Sequence, residues 1–376
     1  MYRQNKRVSV LVLASLMLVL LLAACVASPA AAPAAAPAAA AASGDMVEAS
    51  KGETEGLLIY SIMSEKNWAP VITGFNAKYP WIQVTTTDLG AYEVFERYYT
   101  ESAGNARTGD FIATAAPDGW INLINKGEVV DYVSTEDASL PNFAKIGKGV
   151  YAVSTDPMVM IWNKQLVTEP PATMADLTAA ISADPAAYDG KLVSYDADGE
   201  GFGYGLNYYY TKAKGDEGWK TLETLGSTNV TILTSGGKMI DAVLAGESAI
   251  GYFVSLITVK PRLPDAEALL GWSFIPDAQL IVVRGMGVTK NAASPNSAKL
   301  LLDYILSAEG QIAFANGGLT AYRPDVADQA PLHLSQVAAA VGEENLIFSS
   351  PADEVADPAV HDEFLAKWKT ALKREQ

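Results

Sequence analysis

The chain has 376 residues, 49% of them hydrophobic, and a formal charge of −16. An acidic balance of this size excludes nucleic acid and anionic lipid as partners, since neither would meet a basic surface, although a local pocket is free to carry the opposite sign. The single cysteine excludes an internal disulfide, so stability has to come from packing; roughly 320 residues from Gly56 onward are enough for two units of ordinary domain size.

The chain begins with a basic segment, Arg3, Lys6 and Arg7, followed by an uncharged apolar run from Val8 to Ala24. That is the layout of a secretory signal, and the run is at the short end for a membrane-spanning helix. It closes on Leu22-Ala23-Ala24-Cys25, which resembles the bacterial lipobox. The resemblance implies that the Cys25 thiol is lipidated and becomes the new N-terminus, anchoring the protein on the outer face of the cell membrane. Residues 1–24 carry three positive charges and no acidic ones, so their removal moves the formal charge to −19. Ser28 to Ser43 is nearly all alanine, broken by Pro29, Pro33 and Pro37; spaced prolines oppose a continuous helix and leave a semi-extended spacer. Residues 1–24 are therefore read as a signal peptide, and residues 25–54 as a lipidated cysteine with an Ala/Pro-rich linker.

The folded part opens on the apolar run Gly56 to Tyr60, expected as a buried strand, with a loop over Ser61 to Lys66. Trp68, Val71, Ile72 and Phe75 fall on one helical face between Asn67 and Lys78, and Pro80 stops that helix. Ile82 to Thr87 is the next strand, Tyr92 to Ser102 a helix, Asp110 to Ala113 a strand and Pro117 to Asn125 a helix. This β-α-β-α-β-α order predicts a parallel sheet with crossover helices. Ligands of such sheets sit outside the carboxyl ends of the strands, which singles out the loops Ser61 to Glu65 and Thr114 to Asp118.

Tyr151 to Ser154 and Met158 to Trp162 look like strands leaving the first unit. Thr173 N-caps a helix to Ile181, with Asp176 three positions on. Lys191 to Ser194 is a strand, Gly199 to Gly205 a glycine-rich loop, followed by the run Leu206 to Thr211. A helix at Trp219 to Leu225, a strand at Val230 to Leu233, a helix at Gly237 to Ala245 and a strand at Ala249 to Phe253 complete a second α/β unit, about 156–276. Leu280 to Val288 is a strand interrupted by Arg284-Gly285. Helices at Ser297 to Leu306, Ala308 to Ala315 and Pro358 to Lys373 suggest a return to the first unit, and no solenoid repeat is visible.

Several blocks carry a family likeness: Leu58 to Ser61, Lys126 to Tyr132, Gly246 to Gly251, Lys290 to Leu300, Ser307 to Gln311 and Tyr322 to Val326. With them the chain resembles the bacterial extracellular solute-binding proteins, and most of all the subgroup of ferric-ion-binding proteins and relatives for phosphonates, thiamine or sugar phosphates. The resemblance implies an α/β, two-lobed periplasmic-binding fold of type II, each lobe a mixed sheet flanked by helices with the ligand cleft between them. Lobe 1 would comprise residues 55–155 and 277–376, lobe 2 residues 156–276, with hinge motion near Ser154 to Asp156 and Pro276 to Ala278. It also implies ABC permease subunits as partners of a monomeric receptor.

The chain departs from the ferric pattern, in which adjacent tyrosines follow the Gly-Glu block. Here that stretch holds only Tyr252, and both histidines, His333 and His361, lie late in the chain. The cluster Tyr204 and Tyr208 to Tyr210 leaves a non-standard iron site as an alternative, although adjacent side chains point in different directions. Aromatic lining of an organic ligand is the other use of such a cluster. No metal or cofactor is expected.

Recognition is assigned to loops. Ser61 and Ser64 offer hydroxyls and free backbone N–H groups to an anion, or merely cap a helix. Ala116, Asp118 and Trp120 occupy the third loop, where Asp118 also suits a helix N-terminus and Trp120 reaches the cleft or packs. Gly201, Phe202, Gly203 and Tyr204, with Ser235 and Gly236, permit close backbone approach to a phosphate, phosphonate or carboxylate. Tyr252 completes the set. Arg284 and Arg323 are counter-charges, Arg323 with a structural ion pair as its competing role. With no histidine near the inferred cleft and no free thiol, catalysis has no visible nucleophile and base. The function expected is capture of a small polar or anionic solute for an ABC-type importer, with a ferric receptor or a sensor for a membrane signalling protein as alternatives.

Overall fold

The computed structural model describes residues 44–199 and 201–374; the basic segment, the apolar run, Cys25 and the spacer through residue 43 lie outside the described residues. No helix among the described residues is long and apolar enough to cross a membrane. Residues 44–50 form a short helix, α1, and the end of the expected linker is docked on the fold. Met46 and Ser50 are buried, and the Glu53 carboxylate accepts hydrogen bonds from the N–H groups of Asn296 and Ser297 at 2.8 Å each. Those N–H groups belong to the first turn of α12 (Pro295–Leu306), where an unpaired row of donors favours an anion.

Apolar strands build the first half of the sheet. β1 (Leu57–Ser61) pairs in parallel with β2 (Val84–Asp88) and β3 (Phe111–Thr114). The crossovers are α2 (Glu65–Lys78) and α3 (Glu93–Ala103), and α4 (Pro117–Asn125) follows β3. Trp68, Val71 and Phe75 of α2 are fully buried, and Trp68 meets Phe314 edge-on at 5.0 Å. β10 (Gln279–Val288) lies antiparallel beside β3, and β5 (Val150–Asn163) antiparallel beside β10. Short strands β4 (Lys145–Gly147) and β11 (Leu346–Ser349) attach to β5 and β10.

The two strands expected around residue 157 are one 14-residue strand. Up to Pro157, β5 pairs with β10; from Met158 it pairs with β8 (Ile250–Ser255) and β9 (Leu270–Ser273). A proline has no N–H to give to a ladder, and here it stands where the strand changes partners. β6 (Leu192–Tyr195) runs parallel to β8 and to β7 (Thr231–Leu233), giving the order β2-β1-β3-β10-β5-β8-β6-β7. The second half carries α5 (Met174–Ala183), α6 (Pro185–Tyr188), α7 (Gly201–Lys214), α8 (Asp216–Gly226), α9 (Gly236–Leu244), α10 (Leu256–Val259) and α11 (Leu263–Ala266). The chain then adds α12, α13 (Ala308–Asn316), α14 (Leu334–Val341) and α15 (Pro358–Ala371).

Two further expectations need correction. The glycine-rich stretch is not a loop: Gly201, Gly203 and Gly205 form the first turns of α7, which continues through the run 206–211. Nor does the last helix settle on the first half. The Phe364 ring packs against Trp219 of α8 at 5.6 Å, Lys369 pairs with Asp198 at 2.8 Å, and Arg374 donates to the Val230 carbonyl at 3.2 Å. The apolar face of α15, buried at Phe364, Leu365 and Trp368, finds its cover there.

Candidate functional site

The carboxyl ends of β1 and β2 and the loops of the second half enclose a cavity of about 520 Å³. The register sets Asp88 beside Ser61 at the same end of the sheet. Among the predicted residues, Ser64, Phe202, Ser235, Gly236 and Arg284 line the cavity.

Arg284 comes from β10, at a register irregularity between Arg284 and Gly285. Its guanidinium is held at the point where β5 passes from one half to the other. Nη2 donates to Asp156 Oδ2 at 2.5 Å, and the same carboxylate accepts from Ser255 Oγ at 2.5 Å and from the Ile257 N–H at 3.3 Å. The guanidinium carbon lies 5.5 Å from the centre of the Phe202 ring, a favourable cation–π distance. Arg284 is only 3% exposed, and its Nε is buried without a hydrogen-bond partner. An arginine presents five donors and cannot shed its charge, and the Nε donor of this one is left unspent in a residue that lines the cavity.

A second set of donors comes from α9. Ser235 is its N-cap and makes no side-chain capping bond, and the first intrahelical acceptance at this end is Met239 N–H to the Ser235 carbonyl at 3.1 Å. The N–H groups of Gly236 and Gly237 are left to face the cavity end, the usual posture of an anion site. Gly236 lies close under two hydroxyls there: a Cβ would fall 2.5 Å from that of Tyr195 and 3.2 Å from Thr258 Oγ1. On the opposite wall, Ser64 precedes α2. Its hydroxyl donates to Asn67 Oδ1 at 2.8 Å, and the Asn67 amide donates to the Gly317 carbonyl at 2.7 Å.

The remaining predicted residues hold the frame instead. Ser61 is fully buried; its Oγ accepts from the Met63 N–H and from Trp68 Nε1, both at 2.9 Å. Trp120 packs in the core and donates to the Thr114 carbonyl at 3.1 Å. Ala116 and Gly201 press together, since a Cβ on Gly201 would come 2.9 Å from that of Ala116. Asp118 accepts from the Tyr92 hydroxyl at 3.0 Å, and burial holds its carboxyl above the ordinary range. Gly203 lies against the Asp196 carbonyl, and Tyr204 donates to the Val355 carbonyl at 3.2 Å. Tyr252 is a core residue. Arg323 takes its structural role, bonding Asp325 at 2.7 Å and the Leu306 carbonyl at 2.8 Å.

Sequence reasoning missed Lys66, Asp88, Tyr195, Thr258 and Arg262, all of which line the cavity. Asp88 was within reach of the strand-end rule already applied to β1 and β3, because it ends β2. The others stand out only when the two halves are brought together. Burial raises the Tyr204 and Tyr252 phenols well above their usual range. Among the described residues, no group of three or more His, Cys, Asp or Glu side chains is placed to hold a metal ion.

The model of the bacterial extracellular solute-binding protein family matches residues 71–341. The chain belongs to this family. As a solute-binding protein it shares its fold with the substrate-binding protein of an ABC transporter from Agrobacterium tumefaciens, at 24% identity over 85% of this chain and 96% of that one, with a TM-score of 0.76. The periplasmic binding protein AfuA from Actinobacillus pleuropneumoniae, with fructose 6-phosphate bound, is similar at 20% identity, 85% and 99% coverage and a TM-score of 0.68. Iron-bound HitA from Pseudomonas aeruginosa follows at 18% identity, 84% and 99% coverage and 0.60. A comparison with curated protein sequences found no match. The fold is thus the type II periplasmic-binding fold, and the role of the protein is to bind a solute.

Proposed function

We propose that this protein is the lipid-anchored receptor of an ABC-type importer, tethered through Cys25, and that it closes two lobes on a small polar solute bearing an anionic group. The observation that carries the ligand reading is the Arg284 guanidinium, buried at the cavity with an unpartnered Nε and accompanied by the open first turn of α9. The likeness to a substrate-binding protein of an ABC transporter supports the importer as its partner. Lobe 1 would be residues 55–155 with 277–357, and lobe 2 residues 156–276 with α15. The Lys212 and Tyr208 to Tyr210 region belongs to α7 and does not line the cavity, which favours an organic solute over ferric ion.

Calorimetric titration of the protein with phosphonates, sugar phosphates, carboxylates and ferric citrate tests this. An organic anion should bind saturably, and Arg284→Gln should weaken it by about ten-fold or more. Binding of ferric salt alone, with a phenolate charge-transfer band, would reverse the assignment.

A further inference from the structure

The charges around the cavity nearly cancel. Arg284 is neutralised by Asp156 at 2.5 Å, and Arg262 by Asp241 at 3.0 Å. Two charged groups of the lining then remain without an ion pair among the described residues, Lys66 and Asp88, and they are of opposite sign. A solute with several negative charges would bring uncompensated charge into a closing, low-dielectric site, which is costly. A solute without positive charge would leave Asp88 facing it as closure strips away water.

Asp88 sits at the open end of β2, where the adjoining backbone is already spent: the Leu89 N–H donates to the Ser61 carbonyl at 2.8 Å. Its carboxylate makes no hydrogen bond or ion pair with the described residues, and desolvation alone holds it above the ordinary range. The rest of the wall includes the apolar side chains Ile62, Leu89, Phe202 and Ile257, suited to a short hydrocarbon spacer.

We propose that the solute is a zwitterion, its anionic head on the Arg284 guanidinium and the first turn of α9 and its ammonium group on Asp88. This inference rests on the anion-binding reading of the cavity given above. The recognised class is a small ω-amino acid or aminophosphonate, with opposite charges separated by a few methylenes. Asp88 is then the residue that selects against plain anions of the same length.

Matched probes test it by calorimetry: β-alanine against propionate, 5-aminovalerate against valerate, and 2-aminoethylphosphonate against ethylphosphonate. At least one amino compound should bind about ten-fold or more tightly than its deaminated partner. Asp88→Asn should abolish that preference by weakening the amino compound while its deaminated partner binds no more weakly than before, because Asp88 is exposed and its carboxylate makes no hydrogen bond or ion pair with the described residues. Equal binding within every pair, a preference that survives Asp88→Asn, or tighter binding of a multiply charged anion such as fructose 6-phosphate would overturn the zwitterion while leaving anion binding intact. If neither member of any pair binds and fructose 6-phosphate also fails, the anion-binding reading falls, and the zwitterion with it.

Discussion

Arg284 can be buried only because Asp156 is buried beside it, with side chains 4% and 2% exposed. Removing one partner of such a pair strands a charge, so Asp156→Ala should cost about 3–5 kcal/mol in urea unfolding. A double variant, Asp156→Leu with Arg284→Met, should recover part of that loss. A loss in the double variant as large as in the single one would show that the pair's charges are not the cause. Asp118 behaves differently, since its Oδ1 is buried without a partner and burial raises its pKa, with Tyr204 and His361 facing it. A carboxyl whose folded pKa exceeds its unfolded value is a cost above that folded pKa, and the cost disappears as pH falls through the folded and then the unfolded value. Asp118→Asn should therefore stabilise the protein at pH 7 by about 1 kcal/mol, with the advantage fading toward the ordinary carboxylate range. Melting curves from neutral pH downward check the sign. At this scale the sequence exposed residue types but not their partners: Arg284 stood out as a charge interrupting an apolar strand and Ser235 as the start of a helix, while Ser61 gave no sign that Trp68 Nε1 would occupy it.

Helix α7 shows why elements were harder to read than the β-α alternation around them. Its opening Gly-Phe-Gly-Tyr-Gly has the composition of a loop, yet each glycine permits a close approach. A Cβ would lie 2.6 Å from the Tyr92 ring at Gly201, 1.8 Å from the Asp196 carbonyl oxygen at Gly203 and 3.0 Å from Pro117 at Gly205. The signal for a helix is tertiary, so local propensity could not supply it. Gly203→Ala should destabilise by about 1–3 kcal/mol, because the obstructing atom is backbone and cannot swing aside. Gly237→Ala is the contrast: its nearest neighbour would be Ser235 Oγ at 3.6 Å, so it should be tolerated, or stabilise α9 by up to about 1 kcal/mol. Chemical unfolding of both variants separates the two outcomes. By comparison, β1, β3 and α4 were readable because buried parallel strands are continuously apolar and a proline marks the helix start.

At the scale of the molecule, the two halves are joined by more than the paired strands β5 and β10. After β11 the chain runs from the first half toward α15, and α7 fastens it on the way: the Tyr209 hydroxyl donates to the Ser350 carbonyl at 2.5 Å, and Lys212 pairs with Glu354. The tail then ends against α8, where the Leu372 and Ala371 backbone leaves no room for a side chain on Gly226, whose Cβ would fall 2.1 Å from the Ala371 carbonyl oxygen. This third connection was invisible in the sequence, because an amphipathic helix states that it has a buried face but not which surface buries it. Its energetic weight rests on Trp368, 1% exposed and packed with Leu222 and Leu225 in one cluster. Trp368→Ala should cost about 3–5 kcal/mol, and the loss should be local before it is global. Hydrogen exchange should accelerate first in α15 and α8, while β1 and β3, whose cover is α2 and α4, keep their protection. Uniform acceleration across both halves would instead mean that the tail and the first sheet open as a single cooperative unit, and α15 would then be a keystone of the whole fold rather than the cover of one half.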